Sequence, residues 1–174
     1  FTLMGKEKEL QAAVSAVSKL TDGVLNVGVG KNSKSIFEGL KDISVLTVTG
    51  IHPAGNVGTL INKLDPVNKG EVVWTITPQD LVIIGELLLT GKFNAERIVA
   101  LAGSGIKEPR YLVTKIGSEI ATMVYDRGIE KDANVRIISG TVLSGKEIKP
   151  DGYLGYYSNV VSVIPEGDDY EFFG

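Results

Sequence analysis

The residues best suited to binding chemistry lie in one stretch, Gly50 to Pro66, which reads GIHPAGNVGTLINKLDP. It contains the only histidine of the chain, His52, followed by Gly55, Asn56 and Gly58. Glycine lets backbone N–H groups approach a ligand closely, and the proline after His52 stiffens the turn. The imidazole of His52 and the N–H groups of Gly55 and Asn56 are therefore candidate hydrogen-bond donors to a small ligand. The alternative is that these residues only shape a tight turn.

The pattern around this stretch predicts a strand, a turn and a helix. Val45 to Thr49 is a β-branched run typical of a buried strand, and apolar residues recur at helical spacing between Val57 and Leu64. Turns of this kind lie at the carboxyl ends of parallel strands, where open α/β sheets bind ligands. We therefore expect the His52 turn to lie at the ligand-binding edge of a sheet.

Other constellations that could support catalysis are incomplete. The chain has no cysteine, which excludes disulfides, iron–sulfur ligation and thiolate zinc sites, and one histidine cannot form a His-rich metal site. The loop from Gly28 to Ser33 resembles two nucleotide motifs, but Ser33 replaces the third glycine of one and Asn32 the Ser or Thr of the other. Three candidate serine nucleophiles have no histidine nearby in the sequence. They are Ser118, Ser139 and Ser144. We predict no catalytic residue, no metal and no bound cofactor.

Composition limits the class of protein. With 174 residues, 43% hydrophobic and 22% charged, the chain fits one large or two small globular domains. The net charge of -3 provides no basic surface, so nucleic acid is not an expected partner. The most apolar run, Leu81 to Leu89, is much shorter than the ~20 residues of a membrane span. Phe1 at the start and aromatic residues at the end indicate a piece of a longer chain.

Residues 1–107 are predicted to form an α/β domain of right-handed βαβ units, because strands alternate with helices. Its clearest helix runs from Pro78 to Thr90, with Thr77 as N-cap and Gly91 at the end. Three further helices are expected, at residues 6–20, 36–40 and 57–64. Four strands are expected, at Leu25 to Val29, Ser44 to Thr49, Val72 to Ile76 and Arg97 to Ala102. This pattern favours a mainly parallel sheet.

Residues 108–174 are predicted to form a small β-grasp α+β domain with an acidic tail. One helix, Gly117 to Tyr125, is followed by short strands between glycine turns. The strands are expected at Asn134 to Ser139, Thr141 to Leu143 and Asn159 to Ile164, and the tail contains Glu166, Asp168, Asp169 and Glu171. A tyrosine cluster, Tyr153, Tyr156 and Tyr157, is interpreted either as half-buried core or as a partner-binding surface.

Several long strings occur in the order typical of one family. They are GIHPAGNVG, LDPVNKGEVVW, PQDLVIIGELLLTG, VALAGS, VRIISGTVLSG, YLGYYSNVVSVIPEG and EFFG. Through them the whole chain closely resembles the A subunit of the Na+-translocating NADH:quinone oxidoreductases (Na+-NQR). The resemblance also implies that about half of the family's chain lies outside this sequence.

The resemblance implies a peripheral subunit on the cytoplasmic face of the bacterial inner membrane. Its complex couples NADH oxidation and quinone reduction to Na+ export, and its partners would be the other subunits, including the membrane subunits. The family resembles the NADH-binding flavoprotein subunit of respiratory complex I but lacks its sites, so NADH, FAD, FMN and Fe–S centres are expected on other subunits. The resemblance also implies that residues 1–107 are a Rossmann-like domain, incomplete at its N-terminal side, and that residues 108–174 are a soluble-ligand-binding β-grasp (SLBB-like) domain.

The resemblance leaves two roles open. In the first, the chain contacts quinone at the His52 turn, through His52, Gly55, Asn56 and Gly58. In the second, it is purely a structural adaptor for neighbouring subunits. The family often has histidine where this chain has Leu60, Asn62 and a position near Ser158, so His52 alone remains as a quinone-binding imidazole. Residues 139–141 resemble a flavin-attachment motif only faintly, and covalent FMN is not predicted.

Overall fold

A computed structural model describes residues 2–33, 35–127, 129 and 133–167. The chain divides into two compact units, Phe1–Asn94 and Ala95–Gly174. The acidic residues Asp168, Asp169 and Glu171 lie outside the described residues. The two units are a Rossmann-like α/β unit and a β-grasp α+β unit, as the sequence predicted.

The first unit contains four helices and two strands among its described residues. In chain order they are α1 (Glu7–Val17), β1 (Asn26–Gly30), α2 (Ser35–Glu38), β2 (Ser44–Val48), α3 (Val57–Leu64) and α4 (Pro78–Thr90). Short 3-10 turns occupy Ser18–Leu20 and Lys31–Ser33.

Local sequence explains the bounds of α4. The Thr77 hydroxyl accepts a hydrogen bond from the backbone N–H of Asp80, and Pro78 occupies the first turn, where its missing N–H is not needed. Gly91 ends the helix with φ +73°, a left-handed conformation that glycine adopts without a Cβ clash. The helix runs from Pro78 to Thr90, and these are the bounds that the sequence predicted.

The strands β1 and β2 are parallel, in register from Asn26 with Ser44 to Gly30 with Val48. Val27, Val29 and Val45 on one face join a core with apolar residues of the flanking helices. That core includes Leu3, Leu10, Ala13, Phe37 and Leu81, all buried. Because alternate residues of a strand point to opposite faces, the glycine between the two valines of β1 faces the other side.

The strand predicted at Val72 to Ile76 is wrong. The structure gives this segment no regular secondary structure, and its apolar side chains are exposed, with Trp74 at 90% of its full accessibility. Val, Trp, Thr and Ile favour strands only where a neighbouring strand supplies backbone partners and packing. In the described part of the first unit no strand pairs with this segment, so the sheet there contains only β1 and β2.

In its described residues, the second unit is a mixed five-stranded sheet with one short α-helix packed on it. Its elements are β3 (Glu96–Ala102), β4 (Arg110–Lys115), α5 (Ile120–Val124), β5 (Val135–Ser139), β6 (Lys146–Glu147) and β7 (Val160–Pro165). The strand order is β4-β3-β7-β5-β6, so the last strand lies in the centre, parallel to β3 and antiparallel to β5. One face packs on α5 around a buried core of residues such as Val99, Leu101, Ile120, Val161 and Val163.

Three predictions about this region differ from the structure. The strand from Arg97 to Ala102, which the sequence analysis placed in the first domain, pairs with β4 and β7 and belongs to the second unit. The strand predicted at 141–143 is absent: residues 142–144 form a turn, and the short strand follows at Lys146–Glu147. The helix predicted from Gly117 to Tyr125 is shorter, Ile120–Val124. For the strand Glu96–Ala102 the outcome is decided by pairing with the distant strand β7, which no local pattern encodes.

Candidate functional site

The His52 turn connects the end of β2 to the start of α3, as predicted. Its own backbone orders it: the N–H of Ala54 donates to the carbonyl oxygen of Ile51 at 2.9 Å, and the N–H of Asn56 donates to that of Pro53 at 2.9 Å. The His52–Pro53 peptide bond is cis. The turn therefore has a defined shape before any ligand is considered.

The four predicted site residues follow one another along this turn and the first residues of α3, and all are exposed. They are His52, Gly55, Asn56 and Gly58. The donor set differs from the prediction in one respect, because the N–H of Asn56 is already used by Pro53 and is not available to a ligand. The Asn56 side chain makes no capping bond to α3. The donors that the turn offers are therefore the His52 imidazole, the Gly55 N–H and the Asn56 amide.

A shallow groove of about 320 Å³ lies elsewhere in the first unit. It is lined by Glu7, Lys8, Gln11, Ile36, Gly39 and Leu40. The amide oxygen of Gln11 accepts a hydrogen bond from the backbone N–H of Lys41 at 2.8 Å, which fixes the loop beside the groove. None of the residues predicted to bind a ligand lines this groove.

The first glycine of the Gly28 stretch packs against α3. A Cβ on Gly28, inside β1, would lie 2.4 Å from Cδ1 of Leu60 on α3, so a larger residue there requires the Leu60 side chain to shift. The chain then forms a 3-10 turn at Lys31–Ser33, and the four-residue helix α2 begins at Ser35. In a nucleotide-binding loop of this type the helix N-terminus binds phosphate directly, whereas here the 3-10 turn lies between β1 and α2.

The candidate serine nucleophiles have structural partners within the second unit. The Ser118 hydroxyl donates to the Lys115 carbonyl oxygen at 2.8 Å. The Ser139 hydroxyl is buried and donates to that of Ser158 at 2.9 Å. The hydroxyl of Ser144 lies 3.0 Å from that of Thr141. These hydroxyls hold turns and strand ends together.

The tyrosine cluster lies on the surface of the second unit. Tyr153, Tyr156 and Tyr157 are 67%, 54% and 76% exposed, and the last two rings meet edge to face with centroids 4.9 Å apart. The same loop is anchored by Leu154, which is buried, and by the N–H of Gly155, which donates to Ser139 at 3.0 Å. Of the two interpretations left open by the sequence, the structure selects an exposed and well-anchored surface. We call these three residues the tyrosine surface.

A second exposed apolar surface, at the end of α4, was missed by the sequence analysis. Leu87, Leu88 and Leu89 are 39%, 56% and 57% exposed. A signal for it was present, because three consecutive leucines on a helix point in directions that one packing partner cannot cover together.

Ionised groups in the described residues form surface pairs rather than a catalytic cluster. Arg136 is bound by Glu166 and lies 3.7 Å from Glu147, and the Glu166 contact raises the pKa of Arg136. Glu9 lies in the first turn of α1, where a hydrogen bond from the backbone N–H of Glu9 to its carboxylate lowers the pKa of that carboxylate. The Lys6 ammonium, which forms an ion pair with the same carboxylate at 3.1 Å, lowers this pKa further. No group of acidic and histidine residues suited to a metal ion was found among the residues that the structure describes. None of the described helices is both long and apolar enough to cross a membrane.

Fold and surfaces together define a class: an α/β unit followed by a β-grasp unit, with ordered apolar surfaces and no assembled catalytic group among the described residues. Comparison with known families gives the particular assignment. The family model described as NqrA second alpha/beta domain matches residues 1–93, and that described as NQRA C-terminal domain matches residues 98–149. The chain belongs to the NqrA family.

Curated relatives carry the corresponding name. A protein of Saccharophagus degradans, named as the A subunit of Na(+)-translocating NADH-quinone reductase, is 37% identical over 96% of this chain and 37% of its own. Proteins with this name from Rhodopirellula baltica and Haemophilus influenzae are 35% and 43% identical, over 99% and 78% of this chain and 38% and 30% of theirs. The matched residues thus cover between 30% and 38% of the length of these relatives.

Proposed function

We propose that this chain works as part of the A subunit of a Na+-translocating NADH:quinone reductase and contributes docking surface to that complex. Family membership supports the complex, and the tyrosine surface is the observation that carries the docking role. Tyrosine at an exposed, pre-ordered position buries a large ring at low entropic cost and adds a hydroxyl for hydrogen bonding. The occupant is a neighbouring subunit.

Under this proposal the redox groups belong to the partners. NADH, FAD, FMN and Fe–S centres are placed on other subunits, and this chain lies at the cytoplasmic face of the inner membrane beside the membrane subunits. The residues support this division in one respect, because the chain has no cysteine to bind an Fe–S cluster.

The docking role is tested by replacing Tyr156 and Tyr157 with serine in the full-length subunit. We expect the isolated subunit to fold normally, because both side chains are exposed, and we expect assembly of the complex to be lost or much weakened. Tyr111→Ser is the matched control, since Tyr111 is 68% exposed on strand β4 of the same unit. Normal assembly of the double variant, measured by co-purification with the membrane subunits, would show that the tyrosine surface is not the docking site.

A second candidate function is a contact with the quinone headgroup at the His52 turn. It is favoured by the position of the chain's only imidazole on an accessible turn whose backbone is held in place by hydrogen bonds. The imidazole of His52 and the N–H of Gly55 can each donate to a quinone carbonyl oxygen, with Asn56 and Gly58 beside them. An apolar enclosure for the ring, which quinone sites generally need, would have to come from another part of the complex.

The quinone contact is tested by titrating the full-length subunit with a soluble quinone analogue while observing the His52 ring signals by NMR. We expect these signals to shift saturably and His52→Ala to weaken binding by roughly tenfold, the value of one lost hydrogen bond of about 1.4 kcal/mol. Lys63→Ala, an exposed residue on α3, should leave the affinity unchanged. Equal affinity in His52→Ala and the native subunit would remove this turn from the quinone site.

A further inference from the structure

The end of α4 presents an apolar surface formed by Leu87, Leu88, Leu89 and Phe93, here called the leucine surface. Their exposed fractions are 39%, 56%, 57% and 57%. Isolated exposed leucines are common on soluble domains, but four large apolar residues within seven positions are not. Such a concentration marks a surface that another part of a protein covers.

Local hydrogen bonds order the backbone at the end of the helix that carries the surface. The N–H of Gly91 donates to the Leu87 carbonyl oxygen at 2.8 Å, and the Thr90 hydroxyl donates to the Glu86 carbonyl oxygen at 2.7 Å. The Asn94 side chain then donates to the Glu86 carboxylate at 3.2 Å, which folds the chain after Gly91 back toward the helix. The four apolar side chains are thus presented on a pre-ordered backbone.

The earlier turns of the same side of α4 are already packed within the unit, because Leu81 and Leu88 are seven residues apart and share one helix face. Leu81 and Gly85 are buried, and Gly85 packs directly on the backbone of Glu9 in α1. Glu86 is the only ionisable residue between Leu81 and Gly91. A helix that is apolar on all sides is normally enclosed by protein, yet among the described residues of this unit the last turn of α4, from Leu87 to Thr90, remains exposed.

We infer that the leucine surface is covered by a further domain of the A subunit's own polypeptide. The inference rests on the proposed function, that this chain works as part of that subunit. The matched residues make up 37% of the relative from Saccharophagus degradans, so most of such a polypeptide lies outside the matched region. The family model for residues 1–93 is named the second alpha/beta domain, which indicates another α/β domain in the same polypeptide. Covalent connection gives such a domain a high effective concentration at the surface.

Cysteine labelling tests the inference, since the chain has no cysteine of its own. Leu88→Cys reports on the leucine surface, and Lys41→Cys, at an exposed loop position, is the matched control. Each is made in the 174-residue chain and in the full-length subunit with any other cysteine replaced, and the rate of maleimide modification is measured. Circular dichroism confirms that the variants are folded.

In the 174-residue chain we expect both cysteines to react at similar rates. In the isolated full-length subunit, the reaction at position 88 should be at least roughly tenfold slower than at position 41, because side chains covered by a domain react only when it opens. Similar rates at both positions in the full-length subunit would overturn the inference. So would slow, concentration-dependent labelling of the 174-residue chain, which would identify a second copy as the occupant.

The assembled complex separates this inference from the proposed function. If position 88 becomes protected only when the other subunits bind, the occupant is a neighbouring subunit; the inference is then wrong while the proposed function stands. If position 88 is protected in the isolated subunit but the subunit does not join the complex, the proposed function fails and the intramolecular cover remains supported.

Discussion

Adding a single methyl group at Gly85 should disrupt the packing of α4 against α1. A Cβ at this position would lie 1.8 Å from the carbonyl oxygen of Glu9, 2.5 Å from its carbonyl carbon and 2.8 Å from its Cα. These are backbone atoms, so no side-chain rotation relieves the contact. To restore an ordinary contact of 3.4 Å, the helices must separate by roughly 1.6 Å, the difference between 3.4 Å and 1.8 Å.

Two effects of Gly85→Ala oppose each other. Alanine favours a helix over glycine by about 1 kcal/mol. Against this, a gap of about 0.5–1 Å already removes a quarter to a half of the dispersion attraction between packed atoms, and overpacked cores lose about 1–3 kcal/mol or more. Because the required separation exceeds that gap and Leu81 and Leu10 lie in the same core, we expect a net loss of about 1–3 kcal/mol.

The assay is urea denaturation followed by far-UV circular dichroism, with amide hydrogen exchange of α1 and α4 to locate the effect. Gly58→Ala is the matched control, because Gly58 also lies in a helix and a Cβ there would meet nothing within 4 Å. That variant should be neutral or more stable by up to about 1 kcal/mol. If Gly85→Ala is as stable as the native chain, the close approach of the two helices is not required and the reasoning is refuted.

Three further changes test local features by denaturation. Thr77→Ala should cost about 1 kcal/mol, because it removes the hydroxyl that caps Asp80 at the start of α4. Ser139→Ala should cost about 1–3 kcal/mol and speed exchange of the Gly155 amide, which loses its acceptor. The pKa of Glu9 is lowered on folding, so its charged form stabilises the fold at pH values above the ordinary pKa of 4.5. This stability is lost as the pH falls through the lower pKa of the folded state, and Glu9→Gln should make the loss of stability in acid smaller.

Matched variants separate these effects from general disturbance. Thr77→Ser retains the capping oxygen and should restore most of the stability of α4. Ser144→Ala removes an exposed hydroxyl of the same unit and should change stability little. Glu7→Gln removes one charge from the same turn of α1, so an equal flattening of the acid profile in Glu7→Gln and Glu9→Gln would contradict the assignment to Glu9.

Local signals in the sequence were enough for elements whose limits are set by neighbouring residues. The bounds of α4 follow from Thr77, Pro78 and Gly91, which act through capping and backbone conformation within a few residues. The His52 turn lies between β2 and α3 as predicted, because a strand pattern and a helix pattern flank it directly. The class of fold, an α/β unit followed by a β-grasp unit, also followed from the order of these local patterns.

Pairing across long sequence separations was decided only by the tertiary structure. The strand Glu96–Ala102 belongs to the second unit because its partners are β4 and the distant β7, and Val72 to Ile76 is not a strand because no described neighbour pairs with it. The Asn56 N–H is withdrawn from the candidate site by the Pro53 carbonyl oxygen, and the tyrosines and leucines lie outside the core. A residue's type sets what it can bind or bury, but its burial and its hydrogen-bond partner depend on which other elements reach it.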